Sequence, residues 1–426
     1  MLDIKLLREN PKIIEKKLKS KIPDIDIFKI LSLDEETRKI QKKTDDLKAQ
    51  KNKVSKEIPL LKKANKDVKA IFNEMSKISK EIQTLDEKFK KLLQEKDFLL
   101  STLPNIPDDE APISLNVEDN KCIKTHGEKK TFDFPIKNHT EIGESLNLFD
   151  FKRAAKISKN RFSMYTNMGA RLEWALINYM LDIHLQNGFM QIIPPLLVKK
   201  ETMFGAAQLP KFKDQLFCLE DKDYDLYLIP TAEVPLNGIH MDEILNEDEL
   251  PIKYVAYTPC FRREAGAAGK NERGLIRTHQ FNKVELFSLT KPEDSEKVFN
   301  EMLSSAEEVL KGLDLHYRNM LLCTGDMSFA SSKTIDIEVF LPGQDRYYEV
   351  SSVSNCKDFQ ARRSKIRYRK KDEKPTFVHT LNASGVATSR LMVAILENFQ
   401  QKDGCVLIPI ALRKYLDDQK YLTPKK

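Results

Sequence analysis

Thr258-Pro-Cys-Phe-Arg262-Arg-Glu264-Ala-Gly-Ala-Ala-Gly-Lys-Asn-Glu-Arg-Gly274-Leu-Ile-Arg277-Thr-His-Gln-Phe281-Asn-Lys-Val-Glu285-Leu-Phe287 is rich in β-formers at both ends and in glycine and polar residues in the middle. That pattern predicts two antiparallel strands joined by a long loop. Phe281 and Glu285 are four residues apart, so on a strand they share a face at a separation of roughly 13 Å. An aromatic platform with a carboxylate one small molecule away suits a ligand that has a flat ring at one end and an ammonium at the other. Arg262 and Arg277 flank that line, and a guanidinium clamps carboxylate or phosphate oxygens in pairs. A charged surface hairpin would use the same residue types, and the segment alone does not separate the two readings.

Outward from this segment, composition divides the chain. Its 426 residues are enough for two or three domains, and 41% hydrophobic with 32% charged residues excludes both a disordered polymer and a membrane protein. No apolar run nears the roughly 20 residues that span a bilayer, so no membrane partner is implied. The net charge of +7 is unevenly placed: residues 1–100 hold 26 Lys+Arg against 18 Asp+Glu, a net of +8, and the rest hold 45 against 46. A polyanionic partner would therefore meet the first quarter. None of the 14 glycines precedes residue 101, so that quarter reads as long helices. The six cysteines are scattered without a close pair, against both a zinc cluster and a disulfide framework, and with acids at Asp3 and Glu9 and no long apolar core the first ten residues are expected to be neither a secretory signal nor a typical transit peptide. A cytoplasmic protein is expected.

Within the basic quarter, Val68, Ile71, Met75, Ile78, Ile82, Leu85, Phe89, Leu92 and Leu99 follow a 3-4 spacing interrupted by Lys96, the mark of a coiled-coil seam. A preceding helix carries Ile40, Leu47, Val54 and Leu61 at sevens, with a start at Ser32, where Ser-Leu-Asp-Glu35 fits a capping box. Pro59 and the Lys62–Asp67 segment offer a reversal. The expected product is an antiparallel helical coiled-coil arm, roughly 50 Å long, too slender for a folding core of its own. Two readings of its lysines stay open: they bind a phosphate backbone, or they solvate exposed helices, in which case the seam could also join two subunits.

After Pro104-Asn-Ile-Pro107 the chain turns to short β-rich stretches. It has neither a Gly-x-x-x-x-Gly-Lys-Ser/Thr loop nor a Gly-x-Gly-x-x-Gly turn, so a nucleotide would be bound another way. Phe261-Arg262-Arg-Glu264 followed by His279-Gln-Phe281-Asn-Lys-Val-Glu285 resembles motif 2 of the class II aminoacyl-tRNA synthetases. Ile229-Pro-Thr231-Ala-Glu233-Val-Pro235, Glu349-Val-Ser351-Ser352-Val-Ser-Asn355, Asp358-Phe-Gln-Ala-Arg-Arg363 and His379-Thr-Leu-Asn382-Ala-Ser384-Gly385 resemble, in the same order, the bacterial-type seryl-tRNA synthetases. The resemblance is collinear over essentially the whole chain, the basic arm included.

The resemblance implies an α+β fold: a helical tRNA-binding arm over residues 1–103 and a class II catalytic domain over 104–426, with an antiparallel sheet flanked by helices. It implies activation of L-serine by Mg-ATP to seryl-adenylate and transfer to the 3′ end of tRNA(Ser). Arg262 would hold the α-phosphate and the serine carboxylate, and Phe281 would stack under adenine while Arg390, from motif 3, covers the other face. Arg262, Glu285 and Arg390 would be the catalytic set. Arg263, Glu264, Arg277, Thr278, Glu349, Val350, Ser351 and Ser352 would complete the ATP site. Thr231, Ala232, Glu233, Glu285, Asn382 and Ser384, with Arg262, would surround serine. Glu349 and Ser352 would ligate magnesium; on a regular strand these two face opposite ways, so a bulge or strand end must intervene. Gly169-Ala-Arg-Leu-Glu173 and Gln191-Ile-Ile-Pro-Pro195 resemble motif 1, which in the family forms a homodimer interface.

The chain departs from the family pattern at Ala383 and Ser389, where glycine is usual, and a positive φ at either would cost about 1 kcal/mol or more. Cys356-Lys357 also replaces a more usual apolar-aromatic pair. Two rivals stand beside this reading. One is an adenylating enzyme that loads a carrier protein, which would have no use for a basic arm. The other is a non-catalytic RNA-binding paralogue, which would have no use for Arg262, Glu285, Glu349 and Arg390 together.

Overall fold

The computed structural model describes residues 1–63, 67–265 and 274–424, with the backbone alone at residues 61 and 62. The chain forms two compact units, Leu2–Leu103 and Pro104–Lys426 together with Met1.

The first unit contains α1 (Ile4–Glu9), α2 (Pro11–Lys19), α3 (Phe28–Lys63) and α4 (Lys69–Ser101). The long pair α3 and α4 is antiparallel: Lys29–Glu95, Lys43–Glu81 and Lys88–Glu36 join them at 3.1, 2.7 and 2.7 Å. These pairs are about half exposed, so each adds less than about 1 kcal/mol. Packing along the seam does more, because Ile71, Met75, Ile78, Ile82, Leu85, Phe89, Leu92 and Leu99 are the less exposed positions of α4. Lys96, which interrupts the apolar repeat, is only 13% exposed and lies 3.4 Å from the buried Asp34 of α3. A buried ion pair thus replaces one apolar layer.

Three sequence expectations need correction here. The helix starts at Phe28, whose N–H donates to Asp26 at 2.8 Å, and Ser32 lies inside it, because the turn at Asp26, not Ser32, satisfies the first N–H of the helix. Pro59 also lies inside α3 and does not end it: the carbonyl it leaves unpaired belongs to the exposed Ser55, where water can satisfy it. Leu7, Leu18 and Ile27 are fully buried, and α1 packs on α2 and α3, so the unit does carry a small core. The seam residue Leu61 and the reversal at residues 64–66 lie outside the described side chains and residues.

The second unit is built on eight strands: β1 (Lys121–His126), β2 (Met190–Gln191), β3 (Ile252–Phe261), β4 (Gln280–Thr290), β5 (Tyr317–Leu321), β6 (Lys333–Leu341), β7 (Arg346–Lys357) and β8 (His379–Ala387). Their order is β1-β5-β6-β7-β8-β4-β3-β2, and every pairing is antiparallel except β2 with β3. The strand–loop–strand reading holds: β3 pairs with β4 from Ile252↔Leu289 to Phe261↔Gln280 without a slip. Residues 266–273 of the connection lie outside the described residues.

One face of the sheet is covered by α5 (Asn167–Gln186), α6 (Ser295–Gly312) and α7 (Thr388–Asn398). Strand alternation sorts the side chains. Val284 and Leu286 of β4, Leu381 and Ala383 of β8, and Val353 of β7 join Leu176, Phe299 and Leu391 in the main core. The opposite face carries Phe281, Lys283, Glu285, Asn382 and Ser384, with Phe287 and Leu289 in a smaller cluster against Ala232 and Leu236. Lys283, Glu285, Asn382 and Ser384 therefore lie on the face opposite α5, α6 and α7.

Candidate active site

That face lines a cavity of about 510 Å³, within the range of small-molecule sites. Phe281, Lys283 and Glu285 form one row along its floor, since β4 is regular between them. Ser384 pairs directly opposite Glu285 on β8.

At the Glu285 end the polar groups converge. Glu233 begins a short helix, Glu233–Gly238, after the turn Ile229-Pro-Thr231-Ala, and its Oε1 accepts from Gln360 Nε2 at 2.6 Å and Asn382 Nδ2 at 3.0 Å. Gln360 is itself held by the Thr380 hydroxyl at 2.7 Å. Burial, then repulsion from Glu285, pushes the Glu233 carboxyl up to about 7, with Gln360 opposing. Burial raises Glu285 as well, and the Lys283 ammonium pulls the other way. Lys283 pairs with Glu285 and donates to Thr231 Oγ1 at 2.8 Å. Two buried carboxylates, one ammonium and the hydroxyls of Thr231 and Ser384 fit a small zwitterion bearing a hydroxyl.

At the Phe281 end the arginines gather. The Arg262 guanidinium lies 5.2 Å from the Phe281 ring centroid, and its Nε donates to the Pro230 carbonyl at 3.3 Å. Arg277 meets Glu264 at 2.9 Å. Arg390 donates to the Glu349 carbonyl at 2.7 Å and faces its carboxylate at 3.3 Å. Each pairing uses an oxygen that a phosphate could replace.

The bulge that the metal assignment demands is present. The β6–β7 register passes from Glu349↔Glu338 to Ser351↔Ile337, so Val350 is the extra residue, and Glu349 and Ser352 both reach the cavity. Ser352 then pairs opposite Asp336, whose side chain it hydrogen-bonds. Burial and the neighbouring Glu349 push the Asp336 carboxyl well above the usual carboxylate range. Its buried Oδ1 has no hydrogen-bond partner among the described residues. An orphaned acidic oxygen beside a second carboxylate and a hydroxyl fits a hard divalent cation.

Of the residues singled out from sequence, Thr231, Glu233, Arg262, Glu264, Arg277, Thr278, Phe281, Glu285, Glu349, Val350, Ser352, Asn382, Ser384 and Arg390 all line the cavity. Three do not. Arg263 is exposed, Ala232 is buried among Leu236 and Phe287, and Ser351 shares the helix-covered face with Val353, its hydroxyl donating to the Ser384 carbonyl. Lys283, Gln360 and Asp336 were missed. Lys283 was within reach, because it sits midway between two residues already assigned to one strand face. The feared glycine losses are harmless: Ala383 lies in β8 and Ser389 in α7, neither with positive φ. The positive φ falls on Val386, beside the β8 bulge. Glycine is kept at Gly385, where a Cβ would stand 2.6 Å from His184 Nε2.

An antiparallel sheet with a strand–loop–strand of this kind, paired arginines and a helix bearing Arg390 defines a class II aminoacyl-tRNA synthetase core. Residues 215–399 match the tRNA synthetase class II core domain (G, H, P, S and T), and residues 1–107 match the seryl-tRNA synthetase N-terminal domain. The serine–tRNA ligase of Chlamydia felis is 51% identical over 430 residues, covering 100% of both chains. The crystal structure of seryl-tRNA synthetase from Pyrococcus horikoshii complexed with ATP superimposes with a TM-score of 0.94 at 38% identity over 100% of both chains. That of the cytoplasmic serine–tRNA ligase from Naegleria fowleri with AMP gives 0.88 at 31% identity over 100% of this chain and 99% of that one. The chain belongs to the seryl-tRNA synthetase family.

Proposed function

We propose that the cavity activates L-serine with ATP and that the enzyme passes the seryl group to the 3′ end of tRNA(Ser). The observation that carries this reading is the single row Phe281–Lys283–Glu285, with a ring site at one end and a zwitterion site at the other. Serine's ammonium meets Glu285 and Glu233, its hydroxyl meets Thr231 and Ser384, and its carboxylate points toward Arg262. Adenine lies on Phe281. A serine carboxylate is already a nucleophile at neutral pH, so the first step needs no general base. The carboxylate oxygen attacks the α-phosphorus, the bond from phosphorus to the bridging oxygen breaks, and pyrophosphate leaves with that electron pair. The work of the site is to bring two anions into line and to neutralise the charge that builds, which falls to Arg262, Arg277 and Arg390. Glu349 and Ser352 would hold magnesium, with Asp336 behind them, and the ion supplies further charge neutralisation on the phosphates. In the second step a ribose hydroxyl of the terminal adenosine attacks the seryl carbonyl and AMP leaves.

The tRNA is assigned to the α3–α4 pair, whose 18 Lys+Arg against 12 Asp+Glu make a net of +6, most of the first quarter's excess. A homodimer through the motif 1 segments is supported by exposed Trp174, Met190 and Ile193, the last 87% exposed, on α5 and next to the edge strand β2. Among the described residues no helix is long and apolar enough to cross a membrane, and the buried Cys260, Cys323 and Cys356, none of them in a disulfide, suit a reducing, cytoplasmic setting. The test is charging of tRNA(Ser) with labelled serine. Serine bound stably to the tRNA terminus supports the reading; adenylate that forms but reaches only a carrier protein contradicts it.

A further inference from the structure

Outside the cavity, one buried hydrogen-bonded pair, His139 and Glu397, touches three of the segments that build its nucleotide half. Glu397 lies in the last turn of α7, whose first turn carries Arg390, and it is completely buried. Its Oε1 accepts from the His139 main-chain N–H and from His139 Nδ1, both at 3.1 Å, and from Gln344 Nε2 at 3.2 Å. Its Oε2 accepts from the Gly343 N–H at 3.0 Å. The second ring nitrogen of His139, Nε2, accepts from the Leu275 N–H at 3.4 Å. Because that N–H points at Nε2, the ring proton resides on Nδ1, the tautomer that can donate to Glu397.

Gly343 and Gln344 form the turn between β6 and β7 that leads to Glu349 and Ser352, and Leu275 stands two residues before Arg277. Glycine marks both contact points. A Cβ on Gly274, at φ +73°, would lie 2.2 Å from His139 Nε2, and one on Gly343 would lie 2.9 Å from Glu397 Oε2 and 2.8 Å from the Lys137 carbonyl. The backbone approaches this pair too closely for any side chain. Neither His139 nor Glu397 lines the cavity.

We propose that His139 and Glu397 are positioning residues for the nucleotide half of the site, holding Arg277, Glu349 and Arg390 in one frame while leaving the serine end alone. The serine end hangs on a separate network, Gln360–Glu233–Asn382 and Lys283–Glu285. The inference rests on the proposed activation of serine by ATP.

The test is serine-dependent ATP–pyrophosphate exchange by the full-length protein with two substitutions at one position. His139→Asn keeps a donor where Nδ1 meets Glu397 and removes the acceptor for Leu275; His139→Gln reaches the Nε2 position and keeps that acceptor. The expected result is a KM for ATP raised about tenfold in His139→Asn, the loss of roughly one buried hydrogen bond, with KM for serine unchanged and most of the loss recovered in His139→Gln. Equal effects of the two substitutions, equal rises in both KM values, or an unchanged KM for ATP in His139→Asn would overturn the proposal. If His139→Asn does not fold, Gln344→Ala removes one donor from a half-buried turn: a raised KM for ATP at constant KM for serine supports the proposal, and an unchanged one overturns it. Absence of exchange in the unaltered chain would contradict serine activation itself, and the proposal with it, before any substitution is compared.

Discussion

Glu285→Gln keeps the shape of the side chain and removes its charge. Glu285 is 2% exposed and borders Lys283, Thr231 and Ser384, so a serine ammonium placed there would lose one charge-assisted hydrogen bond, about 1.5–3 kcal/mol. At about 1.4 kcal/mol per factor of ten, kcat/KM for serine should fall roughly 10- to 150-fold. Two consequences of the structure adjust this range. The substitution leaves the buried Lys283 ammonium with Thr231 as its remaining close partner, which pushes the loss upward. It also relieves the repulsion that raises Glu233, restoring some carboxylate charge and pushing the loss downward. The nucleotide end lies four residues along β4, roughly 13 Å away, so KM for ATP should stay within experimental scatter. Pyrophosphate exchange with each substrate varied in turn reads both constants. A fall in ATP affinity with serine affinity intact would mean that the two ends of the row have been assigned backwards.

Arg262→Ala should lower exchange by about 100-fold or more, as loss of a donor that strengthens in the transition state does, without moving the unfolding midpoint; activity within tenfold of the original would remove Arg262 from the phosphate site. The Glu233 carboxyl, raised to about 7, and the raised Glu285 must be ionised to hold an ammonium, so KM for serine should climb as pH falls through about 7 while KM for ATP stays level; a flat serine profile contradicts this. The same raised values, together with Glu173 at about 7, contribute stability that is present at low pH and lost as pH rises through 7, so the unfolding midpoint of Glu173→Gln should vary less with pH across that window. Excising residues 47–85 of the α3–α4 hairpin should spare exchange and reduce tRNA charging by about 100-fold or more, with wild-type tRNA binding falling steeply as salt rises; equal loss of both activities, or binding insensitive to salt, would leave the lysines a solvating role only.

Much of this was legible because it depends on short-range periodicity. The face shared by Phe281 and Glu285 follows from a strand repeat of two, and the α4 seam follows from a 3-4 spacing over some thirty residues. The conflict between Glu349 and Ser352 called for a bulge or a strand end, since no regular strand aims both at one ion, and a bulge at Val350 is what the β6–β7 register contains. What stayed hidden depends on contacts between segments far apart in sequence. Asp336 faces Ser352 only through the β6–β7 register, and Gln360 reaches Glu233 across 127 residues. The same holds for Lys96, which reads as a fault in the repeat until Asp34 is seen opposite. Helix boundaries failed for a local reason: Asp26 and Ser32 are both acceptable caps, and the intervening apolar residues tip the choice toward the longer helix.

The most direct test of the serine assignment is ATP–pyrophosphate exchange measured with serine, alanine and threonine in parallel. A pocket that hydrogen-bonds the serine hydroxyl strands buried polar groups when alanine enters, a discrimination that can reach about 10⁴, and threonine must be turned away by lack of room for its methyl. Exchange with serine, and alanine and threonine lower by orders of magnitude in kcat/KM, is the expected result; alanine or threonine activated as well as serine would contradict the placement of the amino acid against Glu285, Thr231 and Ser384.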